Sequence, residues 1–408
     1  MRAVVDFSLS EEQVRHVAWV REFMDSHVRP VVAELDKISD PDERFPWGII
    51  EKAHGEGLMR FGLPEAYGGT PVDEVTLCLL MEEFGAADIG VGGIIAQYWN
   101  CVALIDRMGN DFHRDTFIRP YLDNPRAIYA LAMTEPTAGT DAQLPYDAPD
   151  GGPMLEAVPD GDEIVLNGVK TYSSYSNVAD VIIVFARTDK SVGLTQGMTA
   201  FIVTKDTPGF SVARTFDLMG HRLAPIAELH FDDCRIPKEN QLTPWNGGFA
   251  EMSRFTVGRY WVGARCLGVA RAAFDLALEY AKTRVQGGKP IIEHQMVARQ
   301  LGEMAMTIEA ARNTIWKAAW AAEHPEQADP IVLRMARVLG SEAAMKVALD
   351  AVRIHGGPGT FTDVGVEKLF RDAATGLHPA PLDVQLMIMG QVLAGNRQGP
   401  VAPLNVAS

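Results

Sequence analysis

Residues 130–141, ALAMTEPTAGTD, join an apolar run to a loop rich in Gly, Thr and Pro. Such a loop can bring backbone N–H groups and a hydroxyl against a flat or anionic ligand, because few side chains obstruct the approach. Connections between strands often have the same composition, so a binding role and a purely structural role are equally open for this loop.

Residues 371–385, RDAATGLHPAPLDVQ, form a second unusual segment, between two runs of helical periodicity. After the Arg-Asp pair, only His378 and Asp383 can take up a proton. A histidine near its ordinary pKa could shuttle a proton, although a single loop histidine is more often merely solvated. Asp383 follows Pro381, and a carboxylate in that position caps a helix more often than it acts as a base.

Two further segments place aromatic and hydroxyl groups close to turns. Residues 167–180, NGVKTYSSYSNVAD, contain a tight turn and then a strand with an aromatic side chain and two hydroxyls. Residues 217–237, DLMGHRLAPIAELHFDDCRIP, begin with turn residues and continue as a β-type run. Both patterns are typical of strand ends in a β-domain.

These segments belong to a chain of 408 residues, long enough for two or three domains or one large multilayered unit. Hydrophobic residues make up 47% and charged residues 22%, which is an ordinary globular composition. The net charge of -16 and the pI near 5.1 argue against a nucleic-acid partner, because such partners are bound by clustered Lys and Arg.

Other bulk features favour a cytoplasmic protein without a metal. No run approaches a membrane span, and the N-terminus lacks a basic region followed by an apolar core. The four cysteines are widely spaced and form no C-x-x-C pair, so neither a zinc site nor a redox dithiol is predicted and reduced thiols are expected.

Hydrophobic periodicity predicts an α+β fold in three parts: an N-terminal helical domain (1–125), a middle antiparallel β-domain (126–240) and a C-terminal helical bundle (241–408). Ser8, three residues before Glu11, predicts a capping box at the first helix. The β-type runs are residues 127–133, 163–168, 180–187, 198–204 and 226–233. Without intervening helices they predict a sandwich or barrel. The long helical runs are residues 254–284, 293–323 and 330–356.

Together the motifs resemble the acyl-CoA dehydrogenase family. Its segments read A-x-T-E-P-x-A-G-S-D, N-G-x-K-x-W-I-T-N and G-x-R-(S/T), which match residues 130–141, 167–175 and 220–223. LEYAKTRVQGGKPIIEHQ (278–295) is similar to the family's Y-A-x-x-R-x-x-F-G segment, and IHGGPGTF (354–361) is similar to its Gly-Gly turn. The resemblance covers essentially the whole chain in the right order.

The resemblance implies that the C-terminal part is a four-helix bundle. It also implies a homotetramer that binds FAD between subunits, with the flavin ring between the β-domain and this bundle. The residues that it implies for the flavin ring and pyrophosphate are Leu131, Met133, Thr134, Gly139, Thr140, Tyr172, Ser173 and Ser174. Those that it implies for the ADP end, from a neighbouring subunit, are Arg284, Gln286, Gln295, Gly356 and Gly357. A planar guanidinium suits pyrophosphate, because it can bond two oxygens at once.

For the substrate, the resemblance implies an acyl-CoA. Phe255 and Arg259 match positions that meet the CoA portion, and residues 97–99, Gln-Tyr-Trp, fall in the helical wall of the expected acyl pocket. Single contacts depart from the pattern. Tyr172 replaces a Trp, Gly287 replaces a Phe and Arg353 replaces a Gln.

The largest departure concerns the catalytic base. Family members have a Glu that removes the α-proton and whose backbone N–H helps to hold the thioester carbonyl. Alignment backward from Gln385 places Pro379 there, and an ungapped alignment places Ala380 there. A branch of the family has its Glu at the position of Gly258 instead. None of these residues has a carboxylate, so the base is unknown and His378 and Asp383 are weak candidates.

Three functions follow as hypotheses. The first is a flavoenzyme that acts on an acyl-CoA by an atypical route: reduction, β-elimination or desaturation with a relocated base. The second is conventional α,β-dehydrogenation with electron transfer to an electron-transfer flavoprotein. The third is a flavin monooxygenase or a nitroalkane-oxidase-like enzyme on the same fold, which the presence of Arg259 disfavours.

Overall fold

The computed structural model describes residues 7–144, 146–253, 258–329, 331–379 and 381–395. Its first part is helical, as predicted. The helices are α1 (Glu11–Phe23), α2 (Arg29–Lys37), α3 (Trp47–Gly55), α4 (Glu74–Ala87), α5 (Ile89–Met108), α6 (Asp111–Phe117) and α7 (Arg119–Leu122). A π-helical turn, Met24–Val28, connects α1 to α2.

The capping box of α1 was predicted at the wrong serine. The N-cap is Ser10, whose hydroxyl accepts from the backbone N–H of Gln13 at 3.1 Å, while the Gln13 side chain accepts from the N–H of Ser10 at 3.0 Å. Ser8 and Glu11 have the same spacing, but Glu11 is already the first helical residue. Because two overlapping patterns fit SLSEEQ, spacing alone did not separate them.

The middle part is a seven-stranded sheet followed along the chain by helices. Its strands are β1 (Tyr129–Ala132), β2 (Glu156–Asp160), β3 (Glu163–Ser174), β4 (Val181–Arg187), β5 (Met198–Thr204), β6 (Phe210–Phe216) and β7 (Ile226–Pro237). A one-turn helix, α8 (Leu194–Gly197), precedes β5. The order across the sheet is β1-β4-β2-β3-β7-β6, and β5 pairs with β4.

Two features of the sheet correct the sequence prediction. Strands β2 and β6 were missed, because β2 is short and largely exposed and β6 is an edge strand with few buried side chains. The sheet is also not wholly antiparallel, since β1 and β2 both pair with β4 in parallel. Parallel pairing needs partners that are distant in sequence, and alternation of residue types does not reveal them.

The C-terminal part is again helical. Its helices are α9 (Gly248–Ser253), α10 (Gly258–Thr283), α11 (Gln295–Glu323), α12 (Ile331–His355), α13 (Val366–Thr375) and α14 (Leu382–Leu393). A short hairpin, β8 (Val285–Gln286) and β9 (Lys289–Pro290), separates α10 from α11. Helices α10, α11 and α12 pack on one another, α13 packs on α10 and α12, and α14 packs on α12.

Helix α13 joins the three parts of the chain. Lys368 donates to Asp88 at 2.6 Å and to Asp372 at 2.7 Å, and Asp372 also accepts from the backbone N–H of His221 at 2.7 Å. Arg371 donates to Asp36 at 2.7 Å. These hydrogen bonds and ion pairs connect α13 to the helices before β1 and to the β6–β7 connection.

The sequence was expected to contain no run that approaches a membrane span. Helix α5 is nevertheless long and apolar enough for one by length and composition, with a mean hydropathy of 1.2. However, 78% of its apolar window is buried inside the protein, which is typical of a core helix. The four cysteines are free and buried.

Candidate active site

The loop after β1 is held by a buried ion pair. Glu135 accepts from Lys170 Nζ at 2.8 Å and from the backbone N–H groups of Met154 and Leu155, each at 2.7 Å. Lys170 is completely buried and also donates to the carbonyl oxygen of Met133 at 2.9 Å. Burial lowers the pKa of Lys170 to about 8, even though Glu135 opposes the shift. These contacts fix the loop against β2 and β3.

The strand beside this loop has an irregularity at Tyr172. The register of β3 and β7 shifts between Lys170 and Ser173, and Tyr172 lies in the left-handed region with a φ of 54°. An aromatic residue rarely adopts this conformation. The ring is 59% exposed and lies 5.2 Å from the ring of Phe216. The bulge therefore presents a flat, open aromatic surface.

The predicted ring-binding residues lie together on these two elements. The Ser173 hydroxyl donates to the carbonyl oxygen of Leu131 at 3.0 Å, and Thr171 N–H donates to the carbonyl oxygen of Thr134 at 2.8 Å. Ser174, the last residue of β3, is half-buried. Gly139 is exposed, and a Cβ atom there would meet nothing within 4 Å. Backbone at Gly139 and Thr140 is therefore open to a ligand.

A contact between glutamines joins this loop to the 371–385 segment. Gln385, completely buried, donates from Nε2 to Oε1 of Gln143 at 2.7 Å and accepts from Arg334 at 2.6 Å. The loop at residues 130–141 and the segment at residues 371–385 are remote in sequence, but this hydrogen bond shows that they lie side by side in the structure.

The predicted ADP-end residues form a second group at one end of the C-terminal helices. The rings of Tyr280 and His355 stack at 4.3 Å, which places the ends of α10 and α12 side by side. Arg284 and Gln286 follow Tyr280, and Gly356 and Gly357 follow His355. Gln295 begins α11, after the hairpin and a short 3-10 turn (Ile291–Glu293). All five predicted residues are exposed.

Glycine conformations in this second group explain one departure from the family pattern. Gly287 and Gly288 have φ values of 60° and 80°, as a two-residue type I′ hairpin requires. Gly356 has φ 66° and ψ -137°, a region essentially restricted to glycine. Gly287, which stands where a Phe is usual, is therefore required by its own turn.

The proline-rich segment presents no carboxylate at the expected position. Pro379 has no backbone N–H, and its carbonyl oxygen accepts from Arg337 Nε at 2.9 Å. Arg337 is completely buried and also donates to the carbonyl oxygen of Gly376 at 3.0 Å and to the Ser341 hydroxyl. Arg337 therefore fixes the turn before α14 through hydrogen bonds to the carbonyl oxygens of Gly376 and Pro379.

The two weak base candidates are both exposed. His378 is in the turn, where its backbone N–H donates to the carbonyl oxygen of Thr375 at 3.2 Å. Asp383 was expected to cap α14, and that expectation is wrong. The N-cap is Pro381, without a side-chain hydrogen bond, and Asp383 lies inside the first turn.

Other predicted substrate residues are placed only in part. Phe255 and Ala380 lie outside the described residues, and Arg259 and Gly258 are in the first turn of α10. Of the expected pocket wall, Gln97 is half-buried, but Tyr98 and Trp99 are core residues. Trp99 donates to the carbonyl oxygen of Met59 at 3.1 Å. Tyr98 and Trp99 therefore face the helical core, and that part of the prediction is wrong.

Sequence reasoning missed the residues that support the site. Glu135 and Lys170 both lie in quoted motifs, at residues 130–141 and 167–180, but the sequence analysis did not predict that they form an ion pair. Arg337 and Gln143 had no signal in the sequence, because their partners are distant in sequence and their helical or loop positions were unremarkable.

Comparisons with known proteins agree with this arrangement. Three family models match successive parts of the chain: the N-terminal domain of acyl-CoA dehydrogenase at residues 10–124, the middle domain at 130–234 and the C-terminal domain at 246–391. A 3-(aryl)acrylate reductase of Clostridium sporogenes is 32% identical over 95% of this chain and 99% of the relative.

Two solved structures have the same fold. Butyryl-CoA dehydrogenase from Megasphaera elsdenii is 32% identical, with a TM-score of 0.87 over 96% of this chain and 100% of that one. A glutaryl-CoA dehydrogenase in complex with glutaryl-CoA is 28% identical, with a TM-score of 0.88 over 97% of this chain and 98% of that one.

The fold is therefore that of a flavin-dependent oxidoreductase, and the chain belongs to the acyl-CoA dehydrogenase family. The family consists of FAD-dependent enzymes that act on the CH–CH group of acyl-CoA. The resemblance, the enzyme class and the cofactor expected from the sequence are confirmed.

Proposed function

We propose that this protein acts on an acyl-CoA thioester by a route that does not use the family's usual glutamate. Reduction of an enoyl thioester, elimination of a β-substituent and desaturation with a base elsewhere all satisfy this condition. The observation that supports the proposal is the turn at residues 376–379, where Pro379 offers neither a carboxylate nor a backbone N–H.

With Pro379 at the position of the glutamate the loss affects two catalytic functions at once, whereas Ala380 at that position would lack only the carboxylate. Removal of one oxyanion donor costs about 2.7–4 kcal/mol, and a general base contributes about 10²–10⁴ in rate. Conventional dehydrogenation relies on both. Arg337 holds the Pro379 carbonyl at 2.9 Å, so this backbone is fixed in a defined position and is not simply a loop that lacks contacts.

The residues around the expected cofactor fit FAD. Tyr172 offers a strained, exposed ring, and the backbone at Gly139 is open, as a flat ligand with an anionic pyrophosphate requires. FAD, when bound, supplies the capacity to exchange a hydride with the acyl chain. We infer that Leu131, Met133 and Thr134 with the 172–174 strand position its ring.

We infer further that the ADP end is held by a second subunit. Arg284 and the Gly356-Gly357 turn are exposed at one end of the helices. Large apolar side chains are exposed on the same elements, since Met296 and Met306 of α11 are 71% and 67% exposed. Burial of such side chains between copies supports a homotetramer. Light scattering after size-exclusion chromatography tests this assembly.

Anaerobic mixing of the FAD-loaded protein with butanoyl-CoA tests the proposed route. We expect the flavin to be reduced about 10²–10⁴ times more slowly by this substrate in the wild-type protein than in a variant with a restored base. The variants are Pro379→Glu and, for the ungapped alignment, Ala380→Glu. Asp383→Glu is the matched control, because it changes a carboxylate in the same segment without restoring the family position.

A fast reduction by the wild-type protein would contradict the proposed route unless a relocated base were then found. It would favour a second candidate, conventional dehydrogenation with an electron-transfer flavoprotein as the acceptor, which the 34% identity to an acyl-CoA dehydrogenase of Bacillus subtilis supports. His378→Gln and Asp383→Asn would then show whether either residue had taken over as the base.

A further inference from the structure

Arg265 lies on the face of α10 that includes Gly258. The two residues are about two helical turns apart, so their Cα atoms share one face with a rise of about 10 Å between them. Gly258 is the position at which a branch of the family has its catalytic Glu. The resemblance at Gly258 therefore implies that Arg265 lies on the substrate side of α10, further from the reacting carbons.

The guanidinium of Arg265 packs against α5 at Gly93. A Cβ atom on Gly93 would lie 2.7 Å from Arg265 Nη1 and would also collide with the Tyr175 hydroxyl. Gly93 is one turn before Gln97, the half-buried residue of the expected acyl-pocket wall. Arg265, Tyr175 and Gly93 thus meet where the faces of α5 and α10 converge.

The positive charge of Arg265 has no carboxylate partner at close range. Among the described residues, no Asp or Glu oxygen lies within 4.0 Å of it, and its buried Nε atom has no hydrogen-bond partner. The nearby carboxylates of Asp88 and Asp372 both bind Lys368, at 2.6 and 2.7 Å. Arg265 as a whole is half-buried, and the partner within its hydrogen-bonding reach is the neutral Tyr175 side chain, so an anionic ligand would supply the negative charge that this arginine lacks.

Two neighbouring features strengthen this assignment. Arg337, which is buried, donates to carbonyl and hydroxyl oxygens, so it adds positive charge near Arg265. Tyr175 is buried with a left-handed φ of 63°, and this strained backbone keeps a phenol beside the guanidinium. A guanidinium and a phenol together offer the donors that a carboxylate accepts.

We propose that Arg265 and Tyr175 bind the distal end of the acyl group and select a short acyl chain that ends in a carboxylate. This inference depends on the proposed function, because it takes the substrate to be an acyl-CoA seated between α5 and α10. A purely hydrocarbon chain would displace water from the guanidinium without supplying an anionic partner, which disfavours its binding.

Calorimetric titration of the FAD-loaded protein with two unreactive thioethers tests the proposal. The probes are S-pentyl-CoA and S-(4-carboxybutyl)-CoA, which differ only by the terminal carboxylate. We expect the wild-type protein to bind the carboxylated probe at least about 10-fold more tightly, as hydrogen bonds to a charged group imply. Arg265→Met should weaken that probe about 10-fold to 100-fold and leave S-pentyl-CoA unchanged or tighter.

Two further variants complete the design. Tyr175→Phe should weaken the carboxylated probe by a smaller factor than Arg265→Met does. Lys282→Met is the matched control, because it removes one positive charge from an exposed position on the same helix, and it should leave both affinities unchanged.

Equal binding of the two probes by the wild-type protein, or an equal loss of both in Arg265→Met, would overturn the proposal. If Arg265→Met does not fold, the wild-type preference and the Tyr175→Phe titration decide. Equal binding of both probes leaves the proposed action on acyl-CoA intact, whereas binding of neither overturns both proposals.

Discussion

The Glu135–Lys170 ion pair gives the sharpest test of how the flavin loop is held. The change is Glu135→Gln, which keeps the size of the side chain and removes its charge. The N–H groups of Met154 and Leu155 donate to different oxygens of the carboxylate, so the amide oxygen can accept from only one of them. The substitution therefore removes the charge that balances a completely buried ammonium and leaves one backbone N–H without an acceptor. We expect a loss of stability and of bound FAD.

The magnitude follows from what Lys170 can do without its partner. Leaving a buried charge unpaired costs about 3–5 kcal/mol. Losing the proton instead costs only about 1.4 kcal/mol at pH 7 relative to the wild-type protein, because the pKa of Lys170 in the folded wild-type protein is already about 8 and each pH unit is worth about 1.4 kcal/mol. The cheaper route sets the deficit, so we expect the free energy of unfolding to fall by about 1.4 kcal/mol at pH 7 from the change at Lys170, and by about 1–3 kcal/mol more from the N–H group that loses its acceptor.

The dependence on pH distinguishes this mechanism from a simple packing defect. In the wild-type protein the pKa of Lys170 is lowered to about 8, and in Glu135→Gln it should be lower still. At a pH between those two pKa values, Lys170 is neutral in the folded variant and charged in the folded wild-type protein. In both unfolded chains it is still charged. The deficit of the variant should therefore shrink by about 1.4 kcal/mol per pH unit as the pH rises to 8, and then level off.

Urea unfolding of the apoprotein from pH 6 to 9 measures this deficit, and flavin absorbance after gel filtration measures the retained FAD. Lys170→Met and the double variant complete a cycle. The double variant should be more stable than the sum of the single losses predicts, by 2 kcal/mol or more, about the coupling of contacting charges. A deficit independent of pH, or strictly additive losses, would refute the ion-pair explanation.

Three other predictions concern single residues. Burial lowers the pKa of His221 from 6.5 to about 4, so the unfolded chain takes up a proton between these pH values that the folded protein does not. On acidification, His221 should lower the free energy of unfolding by about 3 kcal/mol. Urea unfolding of His221→Asn should show a correspondingly smaller loss of stability at low pH, and an unchanged dependence of stability on pH would contradict this prediction. Arg337→Met should cost about 2 kcal/mol or more, because the Pro379 and Gly376 carbonyl groups lose their donor, and thermal unfolding with Arg337→Lys as the conservative comparison measures it. Tyr172→Gly should change apoprotein stability by less than about 1 kcal/mol, since relief of its φ of 54° offsets lost packing, yet it should weaken FAD binding in equilibrium dialysis; unchanged affinity would remove Tyr172 from the flavin site.

The positions of the long helices were predictable because their apolar residues recur with the helical period. The predicted run 293–323 corresponds to α11, Gln295–Glu323, and the run 330–356 corresponds to α12, Ile331–His355. Strongly buried strands such as β4 and β5 were found for a similar reason, since each is a continuous apolar run. Exposed β6 has no such run and was missed.

The family and its cofactor also followed from the sequence by itself, because loops that bind FAD through backbone atoms leave short, ordered motifs of Gly, Thr and Pro. The absence of a glutamate in residues 373–385 is likewise a fact of the sequence. These motifs do not reveal how the loops are held in place, because the side chains that hold them lie elsewhere in the sequence.

Tertiary structure alone decided which residues meet. Periodicity shows that a face is buried but not what covers it, so the contact of Gln143 with Gln385 and the hold of Arg337 on Pro379 had no sequence signal. The same holds for Arg265, an ordinary helical arginine until packing of α10 on α5 brings it to Gly93. Contacts between distant segments are set by how whole elements pack, and local patterns do not encode that arrangement.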